Sequence, residues 1–280
     1  MKLRLLGSAA GKTIPRPFCA CRVCRHAKAD GGKNVRTRTS MQVFLPDDDE
    51  REPRHQVDLS RDTGGQMVRF RFNLSRLEHL LFTHSDEDHI DPSTLKYRRT
   101  ILSDREQMPP LNIYGSTHFC KKFRTLRFDF ERLKIALHPV RPYRAFSFGE
   151  IDVVPLLARH TDDALNYVLS HDRRTVLLAW DTGLWPEENW ERIGGLRFDA
   201  VFMECTVLGK REVSREAGHL NFAHLLEMKD RLGQLGCIRG KTPFVAVHIG
   251  DNGGLTHTEA VGFAAPHGVI VGYDGMDLEV

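Results

Sequence analysis

The sequence changes abruptly from an apolar run, Leu80–Thr83, to the six residues His84-Ser85-Asp86-Glu87-Asp88-His89. The apolar run predicts a buried strand, so the loop after it presents five side chains that can bind a metal ion. Histidine and carboxylate groups hold zinc, manganese or iron while leaving positions open for water. Because so many ionisable groups would repel one another without a cation, this loop predicts a metal site at a strand end.

Three further apolar runs end close to a candidate ligand. His160 follows the run 151–157, Asp181 follows 175–180, and His248 follows 243–247. Taken singly, each of these residues is more often structural than a metal ligand. Taken together, they place histidine or aspartate in four strand-end loops, and an α/β layered fold builds its sites from such loops. We therefore expect one site assembled from distant parts of the chain.

The chain alternates short apolar runs with loops rich in His, Asp and Gly, which predicts one layered α/β domain over residues 1–280 with mixed or antiparallel sheets. The predicted strands are Lys2–Leu6, Gln42–Leu45, Gln56–Leu59, His79–Thr83, Asn112–Tyr114, Ile151–Leu157, Ala164–Ser170, Thr175–Ala179, Ala200–Glu204, Pro243–His248 and Val269–Tyr273. Two helices are predicted, Pro186–Ile193 and Asn221–Leu235, the second with Asn221 as its N-cap. His171–Arg174 is expected to be a hairpin turn, and Pro46–Arg54 a solvated hairpin tip.

Composition excludes several classes of protein. Hydrophobic residues make up 41% of the chain and charged residues 28%, with a net charge of +3, which is too small to predict a nucleic-acid partner. No apolar run approaches the roughly 18 residues that a membrane span needs, and the first apolar run is too short for a signal peptide. We therefore expect a cytoplasmic protein without a membrane partner, and a homodimer is possible.

The segment Lys96–Arg144 differs from the rest of the chain. It carries twelve Lys and Arg against four Asp and Glu, together with Phe119, Phe123, Phe128 and Phe130. One interpretation is a basic insert or lid near the site that holds anionic substrate groups. The alternative is a solvated helical face with a buried aromatic stripe.

Three of the six cysteines, Cys19, Cys21 and Cys24, lie within six residues. Such crowding in a chain that reads as cytosolic favours a metal over disulfides. The alternative is three thiols without a metal. Cys120, Cys205 and Cys237 are scattered and are expected to be buried apolar residues.

The ligand pattern resembles the metallo-β-lactamase superfamily, whose motif is His-x-His-x-Asp-His followed by a separate His, a bridging Asp and a final His. The resemblance implies a four-layer αββα sandwich and two divalent metals, zinc, manganese or iron. It assigns one metal to His84, His160 and the bridging Asp181, with Asp86 as a further ligand that carboxylate chemistry allows, and the second metal to Asp88, His89, Asp181 and His248. Asp86 departs from the motif, because the superfamily usually has histidine there.

Within the superfamily, the chain resembles the PhnP-type cyclic-phosphate phosphodiesterases. The matching segments are Gly7-Ser8-Ala9-Ala10-Gly11, Cys19-x-Cys21-x-x-Cys24, Asp181-Thr182-Gly183-Leu184, Met203-Glu204-Cys205 and Val271-Gly272-Tyr273-Asp274-Gly275-Met276. In that branch the three cysteines bind a structural zinc. The fourth ligand is a histidine at the position that Asp251 occupies here, and His26 is the competing candidate.

The same resemblance implies roles for three more residues. Asp88 and His219 are expected to be catalytic, with His219 contacting the phosphate, and Asp58 is expected to support the metal loop. The implied activity is hydrolysis of small, possibly cyclic, phosphate esters through a metal-bridging hydroxide. Two alternatives remain open: hydrolysis of a lactone, thioester or amide on the same fold, and a non-catalytic metal-bound sensor or binding protein.

Overall fold

The computed structural model describes residues 1–99 and 108–280, and these form two seven-stranded sheets with helices outside them. The strands are β1 Lys2–Gly7, β2 Ser40–Phe44, β3 His55–Val57, β4 His79–Leu81, β5 Leu111–Ser116, β6 Ile135–Val140, β7 Phe146–Phe148, β8 Ile151–Leu157, β9 Leu165–His171, β10 Arg174–Ala179, β11 Ala200–Glu204, β12 Phe244–Val247, β13 Ile270–Val271 and β14 Met276–Glu279. The α-helices are α1 Arg22–Asp30, α2 Thr63–Phe70, α3 Pro92–Leu95, α4 Thr117–Arg124, α5 Glu187–Ile193, α6 Phe222–Gln234 and α7 His257–Ala264.

Each sheet has a parallel half and an antiparallel half. The first sheet has the order β14-β1-β2-β3-β4-β5-β6, and the strands from β3 to β6 are parallel. The second has the order β13-β12-β11-β10-β9-β8-β7, and the strands from β10 to β13 are parallel. Parallel strands end at the same edge of a sheet, so the loops after β10, β11 and β12 leave the second sheet together, and the loop after β4 of the first sheet can join them in one shared site.

The core lies in three layers between four layers of secondary structure. The two sheets pack face to face through side chains such as Val57 and Leu81 from the first and Phe202 and Val245 from the second. The outer face of the first sheet packs against α4, and that of the second against α5, α6 and α7. The fold is therefore the four-layer αββα sandwich predicted from the resemblance.

Strand β11 shows why the central strands have continuous apolar sequences. Ala200 and Phe202 face the core between the sheets, whereas Val201 and Met203 face the helices. Every residue of β11 is buried, as expected of a parallel strand covered on both faces.

The predicted local elements are largely confirmed. The turn between β9 and β10 consists of Asp172 and Arg173, both with positive φ, which is the geometry of a two-residue hairpin with the favoured twist. The side chain of Asn221 accepts a hydrogen bond of 2.8 Å from the backbone N–H of His224 and caps α6 as expected. Helices α1, α2, α3 and α7 and strands β6, β7 and β14 were not predicted, nor were the bounds of α4.

The prediction that Lys96–Arg144 is an insert or lid is wrong for the part that the structure describes; residues 100–107 of this segment lie outside it. Strands β5 and β6 from this segment are the last two strands of the first sheet. Phe119 and Phe123 are buried in the core beneath α4, so the buried aromatic stripe is the correct alternative. The aromatic residues hold α4 on the sheet while its basic residues face outward.

Among the described residues, no helix is both long enough and apolar enough to cross a membrane.

Candidate metal centre

Four side chains from three loops converge where the two sheets meet. His89 Nε2 lies 2.9 Å from Asp181 Oδ2 and 3.2 Å from Asp88 Oδ2. His248 Nε2 lies 3.0 Å from Asp181 Oδ1 and 3.6 Å from Asp88 Oδ2. One candidate ligand atom from each of the four residues lies within 4.8 Å of the others. Two imidazoles and two carboxylates this close together form a donor set suited to a divalent metal.

A second cluster lies beside the first. Asp86 Oδ2 lies 3.6 Å from His84 Nε2 and 3.3 Å from His160 Nε2. Asp181 also lies near this cluster, because it groups with His160 and His219 within the same 4.8 Å limit. Asp181 therefore occupies the position between the two clusters that the sequence pattern assigned to a bridging residue.

The buried donor atoms of these clusters lack ordinary partners. Within the residues that the structure describes, Nε2 of His84, His89 and His248 and Oδ2 of Asp181 are buried and form no hydrogen bond, even where His89 Nε2 approaches Asp181 Oδ2. An unsatisfied buried polar group costs about 1–3 kcal/mol, so several in one place indicate a ligand-binding site. The residues thus fit divalent metal ions, which would satisfy all four atoms at once.

Asp58, on the loop after β3, fixes the orientation of the metal loop. Its carboxylate accepts hydrogen bonds from the backbone N–H and hydroxyl of Thr83, at 2.9 and 2.8 Å, and lies 2.7 Å from Nδ1 of His89. This contact leaves Nε2 of His89 directed at the metal cluster. Burial opposes a charge on His89, but Asp181 and Asp58 together raise the pKa of His89 well above its usual value. The expected supporting role of Asp58 agrees with this geometry.

Three of the residues around the clusters have backbone conformations that are uncommon outside glycine. Asp58, Asp181 and His248 have φ values of 59°, 45° and 54°. Each immediately follows or lies close to the end of a strand. Such conformations are concentrated at functional sites, where the surrounding structure holds them in place.

Glu204, the last residue of β11, connects three loops of the site. Its carboxylate accepts hydrogen bonds from the backbone N–H of Thr182 at 2.7 Å and from the hydroxyl of Thr206 at 2.7 Å. It also lies 2.9 Å from Nδ1 of His219. The sequence motif around Glu204 was recognised, but no role was predicted for this residue. A carboxylate in an otherwise apolar strand was the available signal.

His219 lies at the edge of both clusters, and its ring is stacked with that of His248 at a centroid distance of 5.6 Å. Burial lowers the tendency of this ring to carry a charge. The hydrogen bond and the negative charge of Glu204, together with the charges of Asp181 and Asp88, outweigh burial and raise the pKa of His219 to about 9. Because Nδ1 faces Glu204, Nε2 is the nitrogen left to face the cavity.

The three cysteines of the N-terminal loop form a separate cluster. Asp251 Oδ2 lies 4.0 Å from Sγ of Cys19 and 3.7 Å from Sγ of both Cys21 and Cys24. His26, the competing candidate, instead pairs with Asp30 at 2.9 Å. The structure thus brings Asp251 and not His26 to the sulfur atoms.

A cavity of about 310 Å³ lies over the metal clusters. Its lining includes Asp86, Asp88, His160, Asp181 and His219. This volume lies at the lower end of the range typical for small-molecule sites. The predicted site residues are therefore not only close together but open to a ligand.

Comparison with known proteins agrees with this architecture. Residues 57–249 match the β-lactamase superfamily domain, which covers every described candidate ligand of the two clusters. The chain belongs to this superfamily of metal-dependent hydrolases, and the resemblance predicted from the sequence is confirmed.

Individual relatives cover the whole chain. Coenzyme PQQ synthesis protein B from Methylobacterium nodulans is 24% identical over an alignment of 306 residues that covers 100% of both chains. The Zn²⁺-bound crystal structure of PqqB from Methylobacterium extorquens superposes with a TM-score of 0.78 at 19% identity, again over 100% of both chains. A diphosphatase of the PhnP family superposes with a TM-score of 0.74 at 18% identity, over 100% of this chain and 97% of the other. At these identities, the structural matches establish the fold.

Proposed function

We propose that the protein is a metal-dependent phosphodiesterase acting on small phosphate esters. The observation that carries the proposal is the pair of adjoining histidine and aspartate clusters with buried donor atoms left unpaired. Two metals in such an arrangement can clamp both the attacking and the leaving oxygen of a phosphoryl transfer. The similarity to a PhnP-family diphosphatase also supports this reaction class.

The proposed ligand sets follow the two clusters. His84, Asp86 and His160 would hold one ion, and Asp88, His89 and His248 the other. Asp181 would serve both. Zinc and manganese are the first candidates, because imidazole suits zinc and additional carboxylate suits manganese.

The bound ions would lower the pKa of water towards about 7 and polarise the phosphoryl group. The chain itself supplies orientation and a proton donor. Glu204 accepts from Nδ1 of His219, so Nε2–H can donate to a phosphate oxygen or to the departing alkoxide. Asp88 lines the cavity floor beside His248, where it can orient the attacking water as well as bind metal.

We also propose a structural zinc at Cys19, Cys21, Cys24 and Asp251. The three sulfur atoms lie within 4.0 Å of one aspartate oxygen, which brings together a Cys₃Asp donor set. Asp251 lies three residues after His248. The zinc would therefore attach the N-terminal loop to the rim of the active site.

Two measurements test the proposed function. Hydrolysis of bis(p-nitrophenyl) phosphate in the presence of Mn²⁺ or Zn²⁺ is the expected activity, and elemental analysis should find about three metals per chain, two active-site ions and one structural zinc. Hydrolysis of lactones or thioesters without any phosphodiesterase activity would favour the alternative hydrolase. No hydrolysis with any divalent metal would overturn the proposal.

A second candidate function is a role in coenzyme PQQ synthesis. It is favoured by the match to coenzyme PQQ synthesis protein B, which covers both chains completely. Restoration of PQQ production in a bacterial strain that lacks that protein would support this candidate. Failure to restore it, together with phosphodiesterase activity, would reject it.

A further inference from the structure

A second cavity lies beside the cavity over the metal clusters, along the N-terminal loop. The second cavity has a volume of about 350 Å³, and Lys12 and Arg16 line both. The loop backbone passes directly beside the proposed ligands, since a β-carbon added to Gly11 would lie 3.3 Å from Asp88 Oδ2. The two cavities therefore adjoin at Lys12 and Arg16, within reach of a ligand larger than the phosphate group alone.

Three cations line the second cavity, and two of them already have partners. Arg16 Nε lies 3.1 Å from Asp251 Oδ2, and Arg38 Nη1 lies 3.1 Å from both carboxylate oxygens of Asp62. Lys12 is exposed and forms no hydrogen bond or ion pair with any residue that the structure describes. Its ammonium group is therefore available to an anionic ligand.

Phe18 lines the same cavity, and its side chain is fully exposed. The next residue, Cys19, belongs to the cysteine cluster, and its carbonyl accepts a hydrogen bond of 3.3 Å from Lys28 of α1. The chain beside Phe18 is thus attached to a helix. An exposed aromatic ring that shares a cavity with an unpaired cation is suited to stacking on a planar group that carries negative charge.

We propose that Lys12 and Phe18 form a specificity subsite for the part of the substrate beyond the scissile phosphate. The substrate class is a phosphate ester that carries a planar aromatic ring and a second anionic group. Phe18 stacks on the ring, and Nζ of Lys12 binds the second anion. This inference rests on the proposed function for the position of the scissile phosphate over the metal clusters.

Matched ligands separate the contribution of ring stacking on Phe18 from that of anion binding by Lys12. Adenosine 5′-monophosphate and ribose 5-phosphate differ in the aromatic ring, whereas adenosine 3′,5′-bisphosphate adds a second phosphate to the first. Their dissociation constants are measured by isothermal titration calorimetry on the full-length, metal-loaded protein. The wild type should bind the monophosphate about tenfold more tightly than ribose 5-phosphate, in line with the usual contribution of base stacking. It should bind the bisphosphate about fivefold more tightly again, the upper end for an exposed ion pair.

Each variant should change one ratio of dissociation constants: that of the monophosphate to ribose 5-phosphate, or that of the bisphosphate to the monophosphate. Phe18→Ala should abolish the preference for the monophosphate over ribose 5-phosphate, and Lys12→Ala should abolish the preference for the bisphosphate. Tyr97→Ala and Lys241→Ala are the matched controls, because both residues are exposed and lie outside the two cavities. Both controls should leave the two ratios unchanged.

An unchanged ratio in Phe18→Ala and Lys12→Ala, or a wild type without either preference, would overturn the subsite. The binding measurement does not depend on turnover. A further outcome is that the wild type shows both preferences, and the two variants their loss, while bis(p-nitrophenyl) phosphate is not hydrolysed. In that case the proposed function fails and the subsite stands.

Discussion

The imidazole of His219 and the carboxylate of Glu204 lie 2.9 Å apart, Nδ1 to Oε1, and this contact connects the cavity to the end of a central strand. Glu204 is fully buried and also holds the loop that carries Asp181, through the backbone N–H of Thr182. One carboxylate therefore orients the proposed proton donor and the proposed bridging ligand together.

Replacing Glu204 with glutamine tests this positioning role. We expect kcat to fall by about 10- to 100-fold, the range typical for residues that orient metal ligands. The amide cannot accept from Nδ1 and from the two loops as the carboxylate does, so the pH dependence of kcat should also change. Glu204→Ala is the comparison that removes the side chain altogether. A Glu204→Gln variant with unaltered kcat and pH profile would contradict the role.

Asp181→Asn tests the bridging position. Because Asp181 lies near His89, His248 and His160, we expect this change to abolish turnover and to reduce the active-site metal content together. Activity towards bis(p-nitrophenyl) phosphate and metal content by elemental analysis are measured on the same sample. Asp162→Asn is a matched control in a nearby loop and should retain both. Wild-type turnover in a variant without bound metal would exclude the proposed mechanism.

Asp86→His restores the residue that the superfamily motif usually has at this position. Imidazole is a softer ligand than carboxylate, so we expect the variant to retain zinc more strongly against manganese. The geometry favours a change at one metal, because Asp86 lies 3.6 Å from His84 and 3.3 Å from His160. Competition between Zn²⁺ and Mn²⁺, followed by elemental analysis, measures the effect. An identical metal preference in both proteins would remove Asp86 from the ligand set.

Cys24→Ser tests the structural zinc. We expect the loss of about one metal per chain and a melting temperature lowered by about 5 °C, the shift that a loss of about 2 kcal/mol produces in a domain of this size. Cys120→Ser is the control, because Cys120 is also buried but lies on the core-facing side of α4, away from the cysteine cluster. The control should keep the wild-type metal content. Retention of all metals by Cys24→Ser would reject the site.

His55→Leu tests how a buried histidine links stability to pH. Burial, with repulsion from His79, lowers the pKa of His55 to about 3. Between about pH 6.5 and pH 3, the unfolded chain binds this proton and the folded chain does not, so stability is lost as the pH falls through that window. As the pH falls, the free energy of unfolding of the variant should therefore decrease by up to about 1.4 kcal/mol per pH unit less than that of the wild type. Urea unfolding at pH 7, 6, 5 and 4 gives the slope of unfolding free energy against pH for the wild type and the variant. Equal slopes would contradict the lowered pKa of His55.

The strands of the buried sheets could be predicted because both of their faces are covered, which leaves long apolar runs in the sequence. Strand β6 was missed because it contains His138 and Pro139 and lies at the edge of its sheet, where exposed polar residues are tolerated. The second interpretation of Lys96–Arg144 anticipated a helical face over a buried aromatic stripe, but the bounds of α4 were missed because the helix has only eight residues, three of them basic. The position of α4 on the sheet depends on contacts that local sequence does not reveal.

The candidate ligands could be predicted because each follows a strand end in the expected order. The role of Glu204 could not be predicted, because it depends on hydrogen bonds to Thr182 and His219, which lie in loops distant in sequence. The contacts of Lys122 could not be predicted for the same reason: its Nζ lies 3.0 Å from Ser85 Oγ and 3.3 Å from Asp163 Oδ2. The basic segment thus contacts the metal loop through a side chain of a sheet-bound helix.

The clusters lie across the seam between the two sheets. The loop with His84 and His89 follows β4 of the first sheet, whereas Asp181 and His248 follow strands of the second. The first 140 residues supply six of the seven strands of one sheet, and residues 146–271 supply the other sheet entirely. Ions held at this seam would cross-link the two halves of the chain, so a chelator would weaken the packing of the two sheets at the edge that carries the cavity.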